Sequence, residues 1–195
     1  SDAIEKLRFI ALSDEKLYEG DGELKVTVDF DEKAGTITVR DNGIGMNRED
    51  MVKHLGTVAK SGTRQFIESL TGDQSKDSQL IGQFGVGFYS VFMVAERVEL
   101  TTRSWEVDSQ AWQWTSSGGG QYEITTSEYD KRGTQVTIFL KEDAKEFCSK
   151  WKIDSIIKKY SNYLPFPVKV NDETVNQVKA IWTQSKSDVK DDQYK

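Results

Sequence analysis

The first residues that could do chemistry are the six from Asp41 to Met46, Asp-Asn-Gly-Ile-Gly-Met, at the end of an alternating apolar stretch. A carboxylate held at a strand end is a fixed hydrogen-bond acceptor, which suits an exocyclic amino group such as that of adenine. Gly43 and Gly45 permit positive φ and a close approach to a ligand. Met46 offers a soft apolar wall for a flat ring. Taken alone, the hexapeptide is equally compatible with an Asp-Asn-Gly turn that binds nothing.

A glycine loop, Gly82–Gly87, forms the second candidate motif, with the pattern G-x-x-G-x-G. Its spacing is not that of the dinucleotide fingerprint, G-x-G-x-x-G, and it lacks the Gly-Lys-Ser/Thr ending of a phosphate-binding P-loop. Small residues before a helix nevertheless expose backbone N–H groups that can hold an anion. A flexible linker explains the same glycines, so this motif is weak evidence by itself.

Two shorter motifs add polar groups. Lys60-Ser61-Gly62-Thr63 offers a cation and hydroxyls, or is only a solvated helix start, and Thr134 of Arg132-Gly133-Thr134 could hydrogen-bond a base or a water beside Asp41. The chain has one cysteine, Cys148, and one histidine, His54. They give no metal cluster and no evident Cys-His pair, so chemistry would run on carboxylates, lysines, backbone amides or a bound cation.

The elements that position these motifs follow from the spacing of apolar residues. Alternation predicts strands and the 3.6-residue period predicts helices. Asn47 is expected to cap a helix directly after the first motif, with Glu49 and Asp50 in its first turn. Gly118-Gly119-Gly120 is expected to form a hairpin turn. The predicted strands are 24–30, 36–40, 97–103, 110–115, 121–126, 134–140 and 168–170, and the further helices are 3–12, 88–95 and 144–163. This order predicts an α+β two-layer sandwich, in which helices cover a mainly antiparallel mixed sheet.

Bulk composition narrows the class of protein. Apolar residues make up 36% and charged residues 30% of the 195 residues, which favours a soluble protein, and no apolar run approaches the roughly 20 residues of a membrane span. A net charge of −6 argues against nucleic-acid binding, which usually shows a basic face. The single cysteine fits a reducing cytoplasm. The glycine-rich stretch 56–87 is too long for an ordinary connection and is expected to be a mobile lid.

Together, the motifs resemble the N-terminal ATP-binding domain of the heat-shock protein 90 chaperones, especially the bacterial members. The matching segments stand in the same order and spacing and extend through Ile181-Trp182-Thr183: Ser1–Ala3, Asp41–Met46, Leu55–Thr63, Ile81–Ser90 and Arg132–Thr134. The resemblance implies the fold shared by DNA gyrase, histidine kinases and MutL, with an ATP-binding domain at 1–184 and a charged linker at 185–195. It also implies a cytoplasmic, homodimeric ATPase of the stress response. Such a chaperone assists unfolded clients, binds ATP or ADP with Mg²⁺ held through the nucleotide, and binds neither nucleic acid nor membrane.

The same resemblance assigns roles to individual residues. Asp41 binds the adenine amino group, directly and through water, and Gly45, Met46 and Thr134 complete the base site. Leu55 and Phe88 flank the nucleotide, and His54 lies near the ribose or phosphates. The phosphates are bound by Lys60 and by the backbone N–H groups of Gly85, Val86, Gly87 and Phe88. For His54, an exposed helix position without ligand contact is an equally good interpretation.

In the family, a general-base Glu and an Mg²⁺-holding Asn lie on the helix just before the segment that matches Ser1-Asp2-Ala3. Neither is among these residues, so we expect a domain without its first strand and most of its first helix. We also expect no catalytic or metal residue within it, and negligible ATP hydrolysis by this chain alone. Two alternatives remain: an ATP-gated DNA clamp or topoisomerase-type subunit, and a nucleotide-binding module without turnover.

Overall fold

The computed structural model describes residues 2–56 and 87–178, which fold around one eight-stranded sheet. The strands are β1 (Val26–Asp31), β2 (Thr36–Asp41), β3 (Ala95–Arg103), β4 (Ala111–Ser116), β5 (Tyr122–Ser127), β6 (Gly133–Leu140), β7 (Val168–Val170) and β8 (Glu173–Thr174). Their order across the sheet is β5-β4-β3-β6-β2-β1-β7-β8. Only β1 and β7 run parallel, and the other neighbouring pairs are antiparallel. The predicted α+β fold with a mainly antiparallel mixed sheet is confirmed.

The two faces of the sheet differ in polarity because successive side chains on a strand point to opposite sides. One row of paired residues runs Val28, Val39, Val136, Leu100 and Trp114 across β1, β2, β6, β3 and β4. The adjacent row on the same strands, pointing the other way, consists of Thr27, Arg40, Gln135, Thr101 and Gln113. The apolar face is therefore the one that packs into the core.

Helices supply the second layer, over the apolar face. They are α1 (Asp2–Ala11), α2 (Arg48–Met51), which continues as one π-helical turn (Val52–Gly56), α3 (Lys150–Tyr160), and 3₁₀ segments at Glu15–Tyr18, Phe88–Met93 and Glu142–Phe147. Met51 from α2 and Tyr89 and Phe92 from the second 3₁₀ segment pack around fully buried Trp114. At the other end of the sheet, α3 packs on β1 and β7. No helix within the described residues is long and apolar enough to cross a membrane.

The prediction of a single helix over residues 144–163 is wrong, because the helical conformation is interrupted between two shorter helices. Ser149 adopts an extended conformation (φ −145°, ψ 147°), and its hydroxyl accepts a hydrogen bond from the Lys152 N–H at 3.4 Å. Serine at this position satisfies a helix start that would otherwise lack an acceptor. The same apolar spacing therefore belongs to a 3₁₀ turn followed by α3, which begins at Lys150 and ends at Tyr160.

The helix expected over residues 88–95 is shorter than predicted. It is a 3₁₀ segment that ends at Met93, and Ala95 already begins β3. The expected lid, apart from its ends at Gly56 and Gly87, and the expected linker at 185–195 lie outside the described residues.

Candidate functional site

The loop Asp41–Met46 leaves the middle of the sheet at the end of β2. Asp41 is the last residue of β2 and pairs with Thr134, the second residue of β6. Beyond it, the loop is fixed at its centre. The Ile44 N–H donates to the Ala3 carbonyl at 3.0 Å, and the Trp105 N–H donates to the Ile44 carbonyl at 2.9 Å. The loop therefore lies between the start of α1 and the chain that leaves β3.

Two glycines make this close packing possible. Gly45 has φ +64°, and a Cβ there would lie 1.9 Å from the Arg103 carbonyl oxygen. Gly133 has φ +111°, and a Cβ there would lie 2.2 Å from the Asp41 carbonyl oxygen. Both positions combine a backbone conformation that other residues avoid with contact against main chain that cannot move aside. The local path of the loop therefore requires glycine at both positions.

The Asp41 carboxylate is partly buried and is anchored on one side. Its Oδ1 accepts the Gly43 N–H at 2.9 Å. Burial raises the pKa of the Asp41 carboxyl above its ordinary value, while the Gly43 N–H, the Arg132 guanidinium and the Thr134 backbone oppose that shift. A carboxylate has two oxygens with two lone pairs each, and the Gly43 N–H and the Thr134 backbone use only part of this acceptor capacity. The arrangement leaves acceptor capacity available for an incoming N–H donor.

The side-chain nitrogen and oxygen of Asn42, the next residue, are both hydrogen-bonded within the protein. Its amide nitrogen donates to the Asp21 carboxylate at 3.0 Å and to the Glu23 carbonyl at 2.8 Å. Its side-chain oxygen accepts the Lys25 N–H at 2.9 Å. These bonds tie the loop to the segment that precedes β1.

The buried Arg132 also holds the loop in place, as a clamp on its main chain, and the sequence did not reveal this role. Its guanidinium donates to the carbonyl oxygens of Asn42 at 3.0 Å, Gly43 at 3.2 Å and Leu17 at 2.7 Å. Burial lowers the pKa of Arg132 from its ordinary value, while the charges of Glu19 and Asp21 act in the opposite direction. Because the guanidinium contacts main-chain oxygens, no side-chain pattern in the sequence could have indicated these partners.

Thr102, which the sequence also did not single out, joins three parts of the site. It is completely buried in β3, and its hydroxyl accepts the Met46 N–H at 3.0 Å. The same hydroxyl donates to the Gly133 carbonyl at 2.9 Å and lies 3.0 Å from the Thr134 hydroxyl. A threonine in a strand is unremarkable in sequence, so only the pairing of β3 with β6 reveals this role.

Met46 leads from the loop into α2 and an apolar cluster. Asn47 caps α2 as predicted: its side-chain oxygen accepts the Asp50 N–H, and the Asp50 carboxylate accepts the Asn47 N–H. Met46, Leu55 and Phe88 all belong to the cluster around Trp114, so three of the predicted residues converge there. His54, which was predicted to lie near the ribose or phosphates, has an exposed side chain on the π-helical turn.

Leu55 is held in this cluster through its backbone as well as its side chain. The Tyr89 hydroxyl donates to the Leu55 carbonyl, and burial raises the pKa of Tyr89 to about 12, so this donor stays protonated at any physiological pH. Phe88 stacks edge-on against Trp114, with ring centres 5.7 Å apart. Gly87 is exposed just before it. Lys60, Gly85 and Val86 lie outside the described residues, so the phosphate side of the predicted site is described only at Gly87 and Phe88.

A separate polar cavity of about 160 Å³ lies behind the loop, on the uncovered face of the sheet. Thr27 and Arg40 line it from that face, Asp41 and Asn42 line it from the loop, and Arg132 lines it from the position before β6. It borders the predicted base site at Asp41. In residues 2–56 and 87–178, no group of three or more His, Cys, Asp and Glu side chains is placed to hold a metal ion.

The described site lies within a part of the chain that matches a known protein family. Residues 10–144 match the family described as histidine kinase-, DNA gyrase B-, and HSP90-like ATPase. The chain is 51% identical over 209 residues to the chaperone protein HtpG of Actinobacillus succinogenes and 49% identical over 207 residues to that of Citrobacter koseri. Each alignment covers 100% of this chain and 33% of the relative. The chain thus spans about a third of the length of the curated relatives that it matches.

Proposed function

Because the chain belongs to the histidine kinase-, DNA gyrase B- and HSP90-like ATPase family, we propose that its loop Asp41–Met46 is the base site of an ATP pocket. Family membership and the similarity to HtpG proteins confirm the resemblance that the motifs indicated.

The observation that carries the proposal is the pairing of Asp41 on β2 with Thr134 on β6, beside a loop whose path requires glycine. The Asp41 carboxylate accepts a hydrogen bond from the exocyclic amino group of adenine, and the Thr134 hydroxyl lies on the neighbouring strand to accept a second one or to hold a water. Gly45 contributes to the base site by letting the loop pack against the Arg103 main chain, and Met46 covers a ring face. A partly buried carboxylate binds such a donor more strongly than an exposed one.

The apolar cluster provides the other wall of the pocket. Leu55 and Phe88 flank the nucleotide from this cluster, and the exposed His54 lies within reach of the ribose or phosphates when the stretch after it closes. The phosphates are met by Lys60 and by the backbone N–H groups of Gly85, Val86, Gly87 and Phe88. Bound ATP supplies the γ-phosphoryl group for attack by water, a reaction in which the protein contributes mainly positioning and electrostatics.

The whole protein is, in this proposal, an ATP-dependent molecular chaperone that acts as a homodimer on unfolded client proteins in the cytoplasm during stress. The support is the near-50% identity to relatives named as HtpG chaperones. Residues 1–184 form its ATP-binding domain, residues 56–87 act as a lid over ATP, and residues 185–195 are a charged linker.

A polypeptide of these 195 residues by itself binds nucleotide but hydrolyses it negligibly. The general-base Glu and the Mg²⁺-holding Asn of the family match no residue here, so Mg²⁺ is held through the nucleotide phosphates. Such behaviour is that of a binding module within a larger enzyme.

The experiment is titration calorimetry of the 195-residue chain with ATP and ADP, with and without Mg²⁺, followed by a single-turnover assay. We expect saturable 1:1 binding of both nucleotides and no phosphate release above the uncatalysed rate. Absence of binding would contradict the pocket. Hydrolysis at the rate of the longer protein would contradict only the statement about turnover. Salt-dependent DNA binding would favour a clamp or topoisomerase subunit instead.

A further inference from the structure

The Thr102 hydroxyl uses all of its hydrogen-bonding capacity inside the protein. A hydroxyl has one proton to donate and two lone pairs to accept with. The Gly133 carbonyl can only accept, so it takes the Thr102 proton, at 2.9 Å. The Met46 N–H can only donate, so it occupies one lone pair, at 3.0 Å.

The third partner of Thr102 is the Thr134 hydroxyl, and the other two bonds determine which of the two hydroxyls donates. The Thr134 hydroxyl lies 3.0 Å from the Thr102 oxygen, a distance at which one of the two must donate to the other. Because the only proton of Thr102 is committed to Gly133, the donor has to be Thr134. Thr134 is thereby left with lone pairs alone for anything else that it contacts.

We infer that Thr102 is a positioning residue that makes the site selective for a base with an amino group over one with a keto group. Thr102 touches no ligand and acts through Thr134, whose hydroxyl it holds as an acceptor. The inference rests on the proposed base site, because it requires the base to lie against Asp41 and Thr134.

The selectivity follows from which groups donate hydrogen bonds and which accept them. The Asp41 carboxylate and the lone pairs of Thr134 both accept hydrogen bonds, which suits a 6-aminopurine. A 6-ketopurine would place a carbonyl oxygen against two acceptors, and an unmatched polar group in a partly buried site weakens binding. Without Thr102, the Thr134 hydroxyl is free to turn its proton outwards and donate to a keto oxygen.

The test compares ATP with inosine triphosphate, which differs in the 6-amino and 6-keto groups. Calorimetry on the 195-residue chain gives the two affinities for the unmodified protein, Thr102→Val and Thr102→Ser. We expect Thr102→Val to lower the ratio of ATP to inosine triphosphate affinity by about tenfold, the effect of one hydrogen bond. Thr102→Ser keeps the hydroxyl and should preserve the ratio. If Thr102 only stabilised the fold, both affinities would fall by the same factor and the ratio would not change, which would overturn the inference.

If Thr102→Val folds poorly, Thr102→Ala, which also removes the hydroxyl, takes its place in this comparison and in the following double-mutant cycle. Thr134→Val should lower the same ratio by itself, and adding Thr102→Val to it should have no further effect, because Thr102 acts only through Thr134. Additive effects on the ratio would overturn the inference. Failure of the unmodified protein to bind ATP would instead contradict the proposed function, so the two failures are distinguishable.

Discussion

Asp41 and Thr134 lie directly opposite each other on β2 and β6, although nearly half of the chain's length separates them in sequence. Directly opposite residues on antiparallel strands project to the same face. A carboxylate and a hydroxyl therefore meet at the point where β2 ends and the glycine loop begins. This relationship explains why two short motifs, each uninformative alone, form one site.

Asp41→Asn should raise the stability of the nucleotide-free protein at neutral pH. The native carboxyl has a raised pKa, so the folded state holds its proton more tightly than the unfolded state does. The penalty for the native carboxylate is therefore full above the raised pKa and disappears as the pH falls below the ordinary carboxyl value of 3.8. Thermal unfolding should show a higher Tm for the variant at pH 7 and a shrinking difference towards acid pH. A lower Tm at pH 7 would contradict the assigned burial.

Gly45→Ala should destabilise the protein by more than about 2 kcal/mol, because it adds left-handed backbone strain to a clash with the Arg103 carbonyl. The matched control is Gly119→Ala in the β4–β5 turn, where a Cβ meets nothing within 4 Å. Urea unfolding should show a large loss for the first variant and little change for the second. Equal losses would mean that the loop can relax around a side chain.

Arg132→Lys should lower the free energy of unfolding by about 3 kcal/mol. A single buried ammonium cannot reach all of the carbonyl oxygens to which the guanidinium donates hydrogen bonds. Lys131→Ala, next to it and exposed, is the control and should change stability by less than about 0.5 kcal/mol. Nucleotide affinity should fall in the first variant alone. If Arg132→Lys were as stable as the parent, the clamp would not hold the loop.

Asn47→Ala removes the cap of α2, directly after the base loop, and should cost about 1 kcal/mol. Ser149→Ala removes the cap of α3, which packs at the other end of the sheet, and should cost a similar amount. Calorimetry with ATP separates the two, since weaker binding is expected for the Asn47 variant only. Weaker binding in both would indicate a general effect of stability rather than of the site.

Much of the fold was predictable because alternation and turn residues are local signals. The strands at 36–40, 134–140 and 168–170 needed corrections of one residue or none. The break at Ser149 was missed because 3₁₀ and α segments on either side share one apolar spacing. The roles of Thr102 and Arg132 are not visible in the sequence, because their partners are main-chain groups or lie on other strands, and only tertiary pairing brings them together.

The central claim, that Asp41 anchors the base of a bound nucleotide, is tested most directly by calorimetry of ATP with Asp41→Asn. The control is Asp29→Asn, an exposed carboxylate on the adjacent strand β1. We predict that Asp41→Asn abolishes ATP binding while the protein remains folded by circular dichroism, and that Asp29→Asn binds as the parent does. Unaltered ATP affinity in a folded Asp41→Asn protein would contradict the claim.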